Sequence, residues 1–346
     1  MLPAARQLTL ALCLLTSTAC WSSCITGTPS TPTPPYGLPV LNLPKDESPH
    51  DFQTEWWYFN AHLLTETDVP IALHDVVFQV QPVSSSRTIY VRQIGLATPA
   101  SGDYATSERI RTSTRPIEPS SGNFRIPIGE WVMQGTAGLD YKLSAGAGGY
   151  SYDLTMTASA PPLIHDTDGL VDFAAAGVTY YYSRPRLDVV GTLRGPNGRA
   201  LRVTGLAWLD KQWGDFQPSA VEWNWASIQL DDGTDVMVTT LYDDKGALVD
   251  TYATFRRLGG EVKRLDGVDF TFTSLDAPWH SQRSDTTYHT EWRVKIPSEG
   301  IDLVLQPSMV QSEFSSQVLG VAYWESAVSV VDRHGRAVGQ GFVELN

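Results

Sequence analysis

The chain has 346 residues, 42% apolar and 18% charged, which is enough apolar material for packed cores and too little charge for a disordered chain. Its length corresponds to about two domains, and 28 glycines and 22 prolines exclude collagen-like and low-complexity classes. A net charge of −13 offers no basic face, which sets nucleic acid aside as a partner.

The N-terminus reads as a secretory signal peptide over residues 1–19. Arg6 supplies the positive end, Leu8–Leu15 a short apolar run, and Ser17, Thr18 and Ala19 the small residues before a cut. The apolar run is too short to span a bilayer. Cys20 directly after Ala19 is placed for lipidation, which would tether the chain to a membrane surface of a bacterial cell envelope. Cys13 and Cys24 are the other cysteines, so none follows residue 24 and disulfides and Cys-zinc sites are excluded from the body. Residues 20–45, rich in Pro and Thr, read as an extended tether.

From residue 46 onward, period-two alternation dominates. Val76, Phe78 and Val80 alternate with Asp75, Val77 and Gln79. Leu187, Val189, Gly191 and Leu193 alternate with Asp188, Val190, Thr192 and Arg194. Trp292, Val294 and Ile296 alternate with Arg293 and Lys295. Each run predicts a strand with one buried face. Turn signals separate the runs at Pro196-Asn197-Gly198, Asp231-Asp232-Gly233, Asp244-Lys245-Gly246, Ser298-Glu299-Gly300 and Arg333-His334-Gly335. No amphipathic helix of 12 residues or more stands out, so the body is predicted to be all-β and antiparallel.

Two internal echoes divide it. Residues 55–63 (EWWYFNAHL) match 222–230 (EWNWASIQL), and 205–210 (GLAWLD) match 320–325 (GVAYWE). They predict a duplicated β-unit over residues 46–215 and 216–346.

The densest chemistry lies in Glu55-Trp56-Trp57-Tyr58, Asp210-Lys211-Gln212-Trp213 and Glu222-Trp223-Asn224-Trp225. Trp56, Trp57, Tyr58, Trp213, Trp223 and Trp225 supply flat apolar walls for a hydrophobic ligand. Glu55, Asp210 and Glu222 among them would lose solvation, and a carboxyl group kept protonated in such a site can act as an acid. The seven histidines form no metal-ligating spacing, and His50, just ahead of the Glu-Trp-Trp run, is the most suggestive of them. Nucleophile-elbow, dinucleotide and Walker A patterns are missing, so no metal or cofactor is expected.

These blocks carry a resemblance. Glu47-Ser48-Pro49-His50 with Thr54–Phe59 is followed by Tyr181-Tyr182-Ser183-Arg184-Pro185, Gly205–Gly214 and Trp223-Asn224-Trp225. Leu230-Asp231-Asp232-Gly233, Tyr323-Trp324-Glu325 and Gly341-Phe342-Val343-Glu344-Leu345 complete the series. Together they resemble the carotenoid 1,2-hydratase (CrtC) and AttH-like family over nearly all of residues 46–346. The resemblance implies two tandem lipocalin-like β-barrels, a large apolar cavity often near their junction, and chemistry on long or polycyclic apolar molecules. The hydratases carry Asp-His-x-Trp where this chain has Asp210-Lys211-Gln212-Trp213, so the fold carries over more directly than the hydration. The expected function is an envelope lipoprotein binding a lipid or other hydrophobic molecule. The alternatives are a hydratase-type enzyme protonating an alkene and an accessory protein of an envelope transporter.

Overall fold

The computed structural model describes residues 37–346 apart from 83–85, 115–116, 119 and 276. The signal peptide, Cys20 and most of the tether lie outside the described residues. A compact unit runs from Pro39 to Asn346. Residues 39–45, assigned to the tether by sequence, belong to that unit. Tyr180 donates to the Pro39 carbonyl at 2.7 Å, which fastens the segment to the body. No α-helix occurs among the described residues.

Eight strands open the body: β1 (Thr54–Thr65), β2 (Pro70–Val80), β3 (Thr88–Thr98), β4 (Asp103–Ser113), β5 (Asn123–Ile128), β6 (Trp131–Thr136), β7 (Asp140–Ala147) and β8 (Tyr150–Ala158). Two short strands, β9 (Leu163–Ile164) and β10 (Leu170–Asp172), lead into the long pair β11 (Val178–Arg194) and β12 (Ala200–Gly214). They form one antiparallel sheet in the order β4-β3-β2-β1-β12-β11-β8-β7-β6-β5. The sheet nearly closes into a barrel. Its two edges face each other, with Arg111 on β4 donating to the Pro127 carbonyl on β5 at 3.0 Å.

The second sheet uses β13 (Glu222–Leu230), β14 (Asp235–Tyr242), β15 (Leu248–Arg256), β16 (Lys263–Asp266) and β17 (Thr271–Ser274). After a small hairpin of β18 (Pro278–His280) and β19 (Thr287–His289) come β20 (Trp292–Ile296), β21 (Ile301–Pro307), β22 (Glu313–Ser315), β23 (Ala322–Asp332) and β24 (Ala337–Leu345). Its order is β16-β15-β14-β13-β24-β23-β21-β20-β17, wrapped as a half-barrel. Aligned with β13 in the place of β1 and β24 in the place of β12, this order repeats that of the first sheet except that β5 has no counterpart. The echo between residues 55–63 and 222–230 therefore falls on corresponding strands. The second echo does not. Residues 205–210 lie on β12, whereas Ala322–Glu325 opens β23, whose counterpart is β11. The five turn signals all fall between strands that pair as hairpins.

Three apolar cores result. Trp57, Phe59, Ala61 and Leu63 of β1 point into the first barrel with Ala207 and Leu209 of β12. Ala226, Ile228 and Leu230 of β13 point into the second. The third core lies between the two sheets, built from Trp56, Tyr58, Trp208, Trp225, Met237 and Phe342 among others. Because successive side chains of a strand point to opposite faces, β1 and β12 feed the first barrel with one residue set and the junction with the other. The one-faced expectation holds for β20, where Trp292, Val294 and Ile296 are buried and Arg293 and Lys295 are half-buried. It fails for β2. Val76 packs in the junction while Val77 packs in the barrel, and Asp75 is also wholly buried there.

The first barrel encloses ion pairs. Arg92 Nε and Nη2 reach the two Asp75 carboxylate oxygens at 2.8 and 2.5 Å, and Tyr152 donates to Asp75 at 2.6 Å. Arg184 Nε and Nη2 donate to Glu47 at 2.8 and 2.6 Å, and Tyr141 adds a bond at 3.0 Å. Fully hydrogen-bonded pairs are the form in which charge is tolerated in a core.

Candidate functional site

The sequence-predicted residues fall into two places. Glu55, Trp57, Lys211 and Trp213 share the barrel-facing side of β1 and β12. Lys211 is fully buried and donates to Glu55 Oε1. Its ammonium lies 4.1 Å from the Trp57 ring centre and 4.6 Å from that of Trp213. Glu55 also accepts the His50 backbone N–H at 2.8 Å and a Gln79 amide at 3.2 Å, with His50 Nδ1 at 2.9 Å. His50 stacks on Trp213 at 4.2 Å. Here Glu55 is a paired anion inside a packed wall. Burial lowers the Lys211 pKa, and the adjacent Glu55 carboxylate opposes that shift.

The other residues surround a cavity of about 700 Å³ between the two sheets. Trp56 and Tyr58 enter it from β1, Asp210 and Gln212 from β12, and Glu222, Trp223 and Trp225 from β13. Tyr323, Glu325 and Glu344 close the side formed by β23 and β24. Glu222 is exposed at the rim. The aromatic groups form edge contacts: Tyr58 meets Trp225 at 5.6 Å and 83°, and Trp56 meets Phe78 at 6.1 Å and 68°. Among the described residues four carboxyl side chains line the cavity and no Lys or Arg does.

Asp210 is the best-anchored acid. It accepts Tyr181 at 2.5 Å, Ser183 at 2.5 Å and the Trp208 indole N–H at 2.6 Å. Burial pushes its pKa up to about 6, against the pull of those three donors. His165 continues the chain, with Nε2 2.7 Å from Ser183 Oγ and Nδ1 2.7 Å from Thr254 Oγ1, and burial drops its pKa to about 3. Glu344 has one side-chain donor, the Trp223 indole at 3.0 Å, and burial raises it to about 7. Glu325 accepts Tyr58 through Oε1. Its pKa lies well above the carboxylate range, first through burial and then through the charge of Glu344. Glu325 and Glu344 stand directly opposite each other in the β23–β24 register.

Glu325, Glu344, Tyr181, Ser183 and Tyr252 were not marked as site residues from sequence. The signal was present for two of them. Glu325 and Glu344 are acids whose immediate neighbours are apolar or small (AYWESAV and GFVEL). Their pairing depends on a register that only the folded sheet supplies.

Tandem β-barrel sheets enclosing an aromatic, acid-lined junction define a two-barrel lipocalin-like protein. The AttH-like family model matches residues 34–346, and the chain belongs to that family. Among solved structures, a Nitrosomonas europaea protein described as AttH superposes with a TM-score of 0.80 at 26% identity, covering 92% of this chain and 99% of its own. Kievitone hydratase from Nectria haematococca gives 0.70 at 16% identity, covering 91% and 95%. CghA gives 0.56 at 13%, covering 85% and 88%. No curated protein sequence matches the chain.

The elevated Glu344 pKa has a consequence for stability. In the folded state it lies at about 7 against an ordinary 4.5, so the native state binds this proton more tightly than the unfolded chain does. Stability from this group is present at low pH and is lost as pH rises through about 7. Glu344→Gln keeps an acceptor for Trp223 and removes the loss. We expect the variant to exceed the parent at pH 8 by at most about 3 kcal/mol in urea unfolding, with the gap closing toward pH 5. Equal stabilities at pH 8 would contradict the raised pKa.

Proposed function

We propose that the protein binds a hydrophobic molecule in the cavity between its barrels. The observation that carries this reading is the cavity itself. About 700 Å³ sits within the usual ligand-pocket range of roughly 300–1,000 Å³, walled by Trp56, Tyr58, Trp223 and Trp225. Three lining groups have a buried atom without a hydrogen-bond partner: Gln212 Nε2, Tyr252 OH and Glu325 Oε2. Such atoms are costly in an empty core and useful to a ligand with a few polar substituents. The neutral fluorophore N-phenyl-1-naphthylamine should bind the purified body with enhanced emission. Trp225→Ala, which removes a central wall, should weaken it by about tenfold or more. Unchanged affinity in that variant would place the binding elsewhere.

A second reading, hydration of a double bond, is favoured by Asp210 and by the fold shared with kievitone hydratase. A carboxyl with a pKa of about 6 on an aromatic wall can give its proton to an alkene carbon. Water then adds to the cation, and its surplus proton returns to the carboxylate. Turnover would need protonated Asp210 and would fall as pH rises through about 6. Asp210→Asn should abolish hydration of an apolar alkene while retaining fluorophore binding. Turnover at the parental rate would remove Asp210 from the acid role.

The leader and Cys20 support a third element of the proposal, an envelope lipoprotein held to the membrane by its anchor. Cells expressing the full chain should incorporate labelled palmitate into it, and Cys20→Ala should eliminate the label. Label retained in that variant would refute the anchor.

A further inference from the structure

Resting on the binding reading above, we infer that the cavity selects a hydrophobic organic ammonium, held by Glu325 and Glu344 with the surrounding aromatic faces. Both acids line the cavity and stand opposite each other on β23 and β24. Glu325 is 2% exposed, and its Oε2 has no hydrogen bond. The atom nearest to satisfying it, His74 Nδ1 at 3.1 Å, belongs to a ring whose pKa is lowered by burial to about 3, so His74 supplies no positive charge. Among the described residues no Lys or Arg lines the cavity. Two adjacent acids without a cation either hold protons or take up a cation, because two bare carboxylates repel in a low dielectric. Among the described residues no group of three or more metal-ligating side chains gathers that could hold a metal ion. Trp225 pairs with Glu344 in register, Trp223 donates to it, and Tyr58 donates to Glu325. Aromatic faces beside carboxylates form the environment in which ammonium groups bind through cation–π attraction.

Binding a cation there displaces protons. The groups interacting with the pair from other strands are Tyr58 on β1, His74 on β2, Tyr104 on β4 and Asp210 on β12, with Tyr323 on β23 itself, and His62 on β1 packs against Gly341 and Phe342 of β24. Tyr58, Tyr104 and Tyr323 are raised well above 10, and His62 and His74 are lowered to about 4 and about 3. Arg283 acts on Tyr104 and lies outside the cavity lining. Between pH 5.5 and 8 Glu344 and Asp210 change charge, both toward the anion. Affinity for a permanent cation therefore rises with pH.

The test uses the Pro39–Asn346 unit within the full chain and four probes of equal chain length, followed by calorimetry. Decyltrimethylammonium should bind at least tenfold tighter than 1-decanol at pH 8, and decanoate should bind weakest. The ammonium-to-alcohol ratio should rise from pH 5.5 to 8, with proton release seen by comparing buffers of different ionisation heat. Glu325→Gln and Glu344→Gln should each lower that ratio at least fivefold. Decylphosphocholine separates a simple alkylammonium from a choline headgroup. Its phosphate faces the acids, so we expect it at least tenfold weaker than decyltrimethylammonium, and equal binding would assign the same ammonium site to a headgroup. Equal binding of ammonium and alcohol would overturn the ammonium inference alone. No binding of any probe, the naphthylamine included, would overturn both readings.

Discussion

The rest of the structure depends on two strands that are buried on both faces. In β1 the odd-numbered residues from Glu55 to Leu63 fill the first barrel, and Trp56, Tyr58 and Asn60 fill the junction. In β12, Lys211 and Trp213 face inward while Asp210 and Gln212 face the second sheet. A one-residue slip of either strand would exchange these sets. It would carry Lys211 into the cavity and leave Glu55 unpaired. Burial on both sides therefore fixes the register, and the register places the site.

Charge is then sorted by face. Inside the first barrel every buried acid described above has a cationic partner: Asp75 with Arg92, Glu47 with Arg184 and Glu55 with Lys211. Across the wall, in the junction, the acids have only hydroxyl, indole or imidazole neighbours. The Coulomb attraction that offsets desolvation on one face is missing on the other. The pKa values follow. Asp210, Glu344 and Glu325 are all raised, each chiefly by burial, with three donors opposing the shift at Asp210 and the charge of Glu344 adding to it at Glu325.

Much of the fold was legible in the sequence because alternation and turn chemistry are local. The hairpin signals at Pro196-Asn197-Gly198 and Asp231-Asp232-Gly233 needed no tertiary knowledge, and the repeat of Glu55-Trp56 in Glu222-Trp223 marked the corresponding first strands. The site was legible only in part. Counting tryptophans brought Trp56, Trp57, Trp213 and Trp225 into one group, yet parity sends Trp57 and Trp213 to the barrel side and Trp56 and Trp225 to the cavity. Alternation alone does not say which face is the ligand face when both are apolar. The second echo misled for a related reason. An aromatic-apolar-acid pattern recurs wherever a strand has two buried faces, so it appeared on β12 and again on β23.

The duplicated plan also explains why the cavity holds several acids. Asp210 pairs with Tyr58 across β12 and β1, and Glu344 pairs with Trp225 across β24 and β13, so each half brings one carboxyl beside one central aromatic. The halves differ at the next strand over. Asp210 is paired with Ser183, a hydroxyl that donates to it, whereas Glu344 is paired with Glu325, a second acid. A hydroxyl neighbour stabilises the carboxylate and a carboxyl neighbour destabilises it. One substitution of role at a single register position thus turns a symmetric scaffold into a cavity with an anion-holding side and a proton-holding side. On the binding reading proposed above, a ligand that fits both sides would be apolar in its body and polarised toward the second barrel.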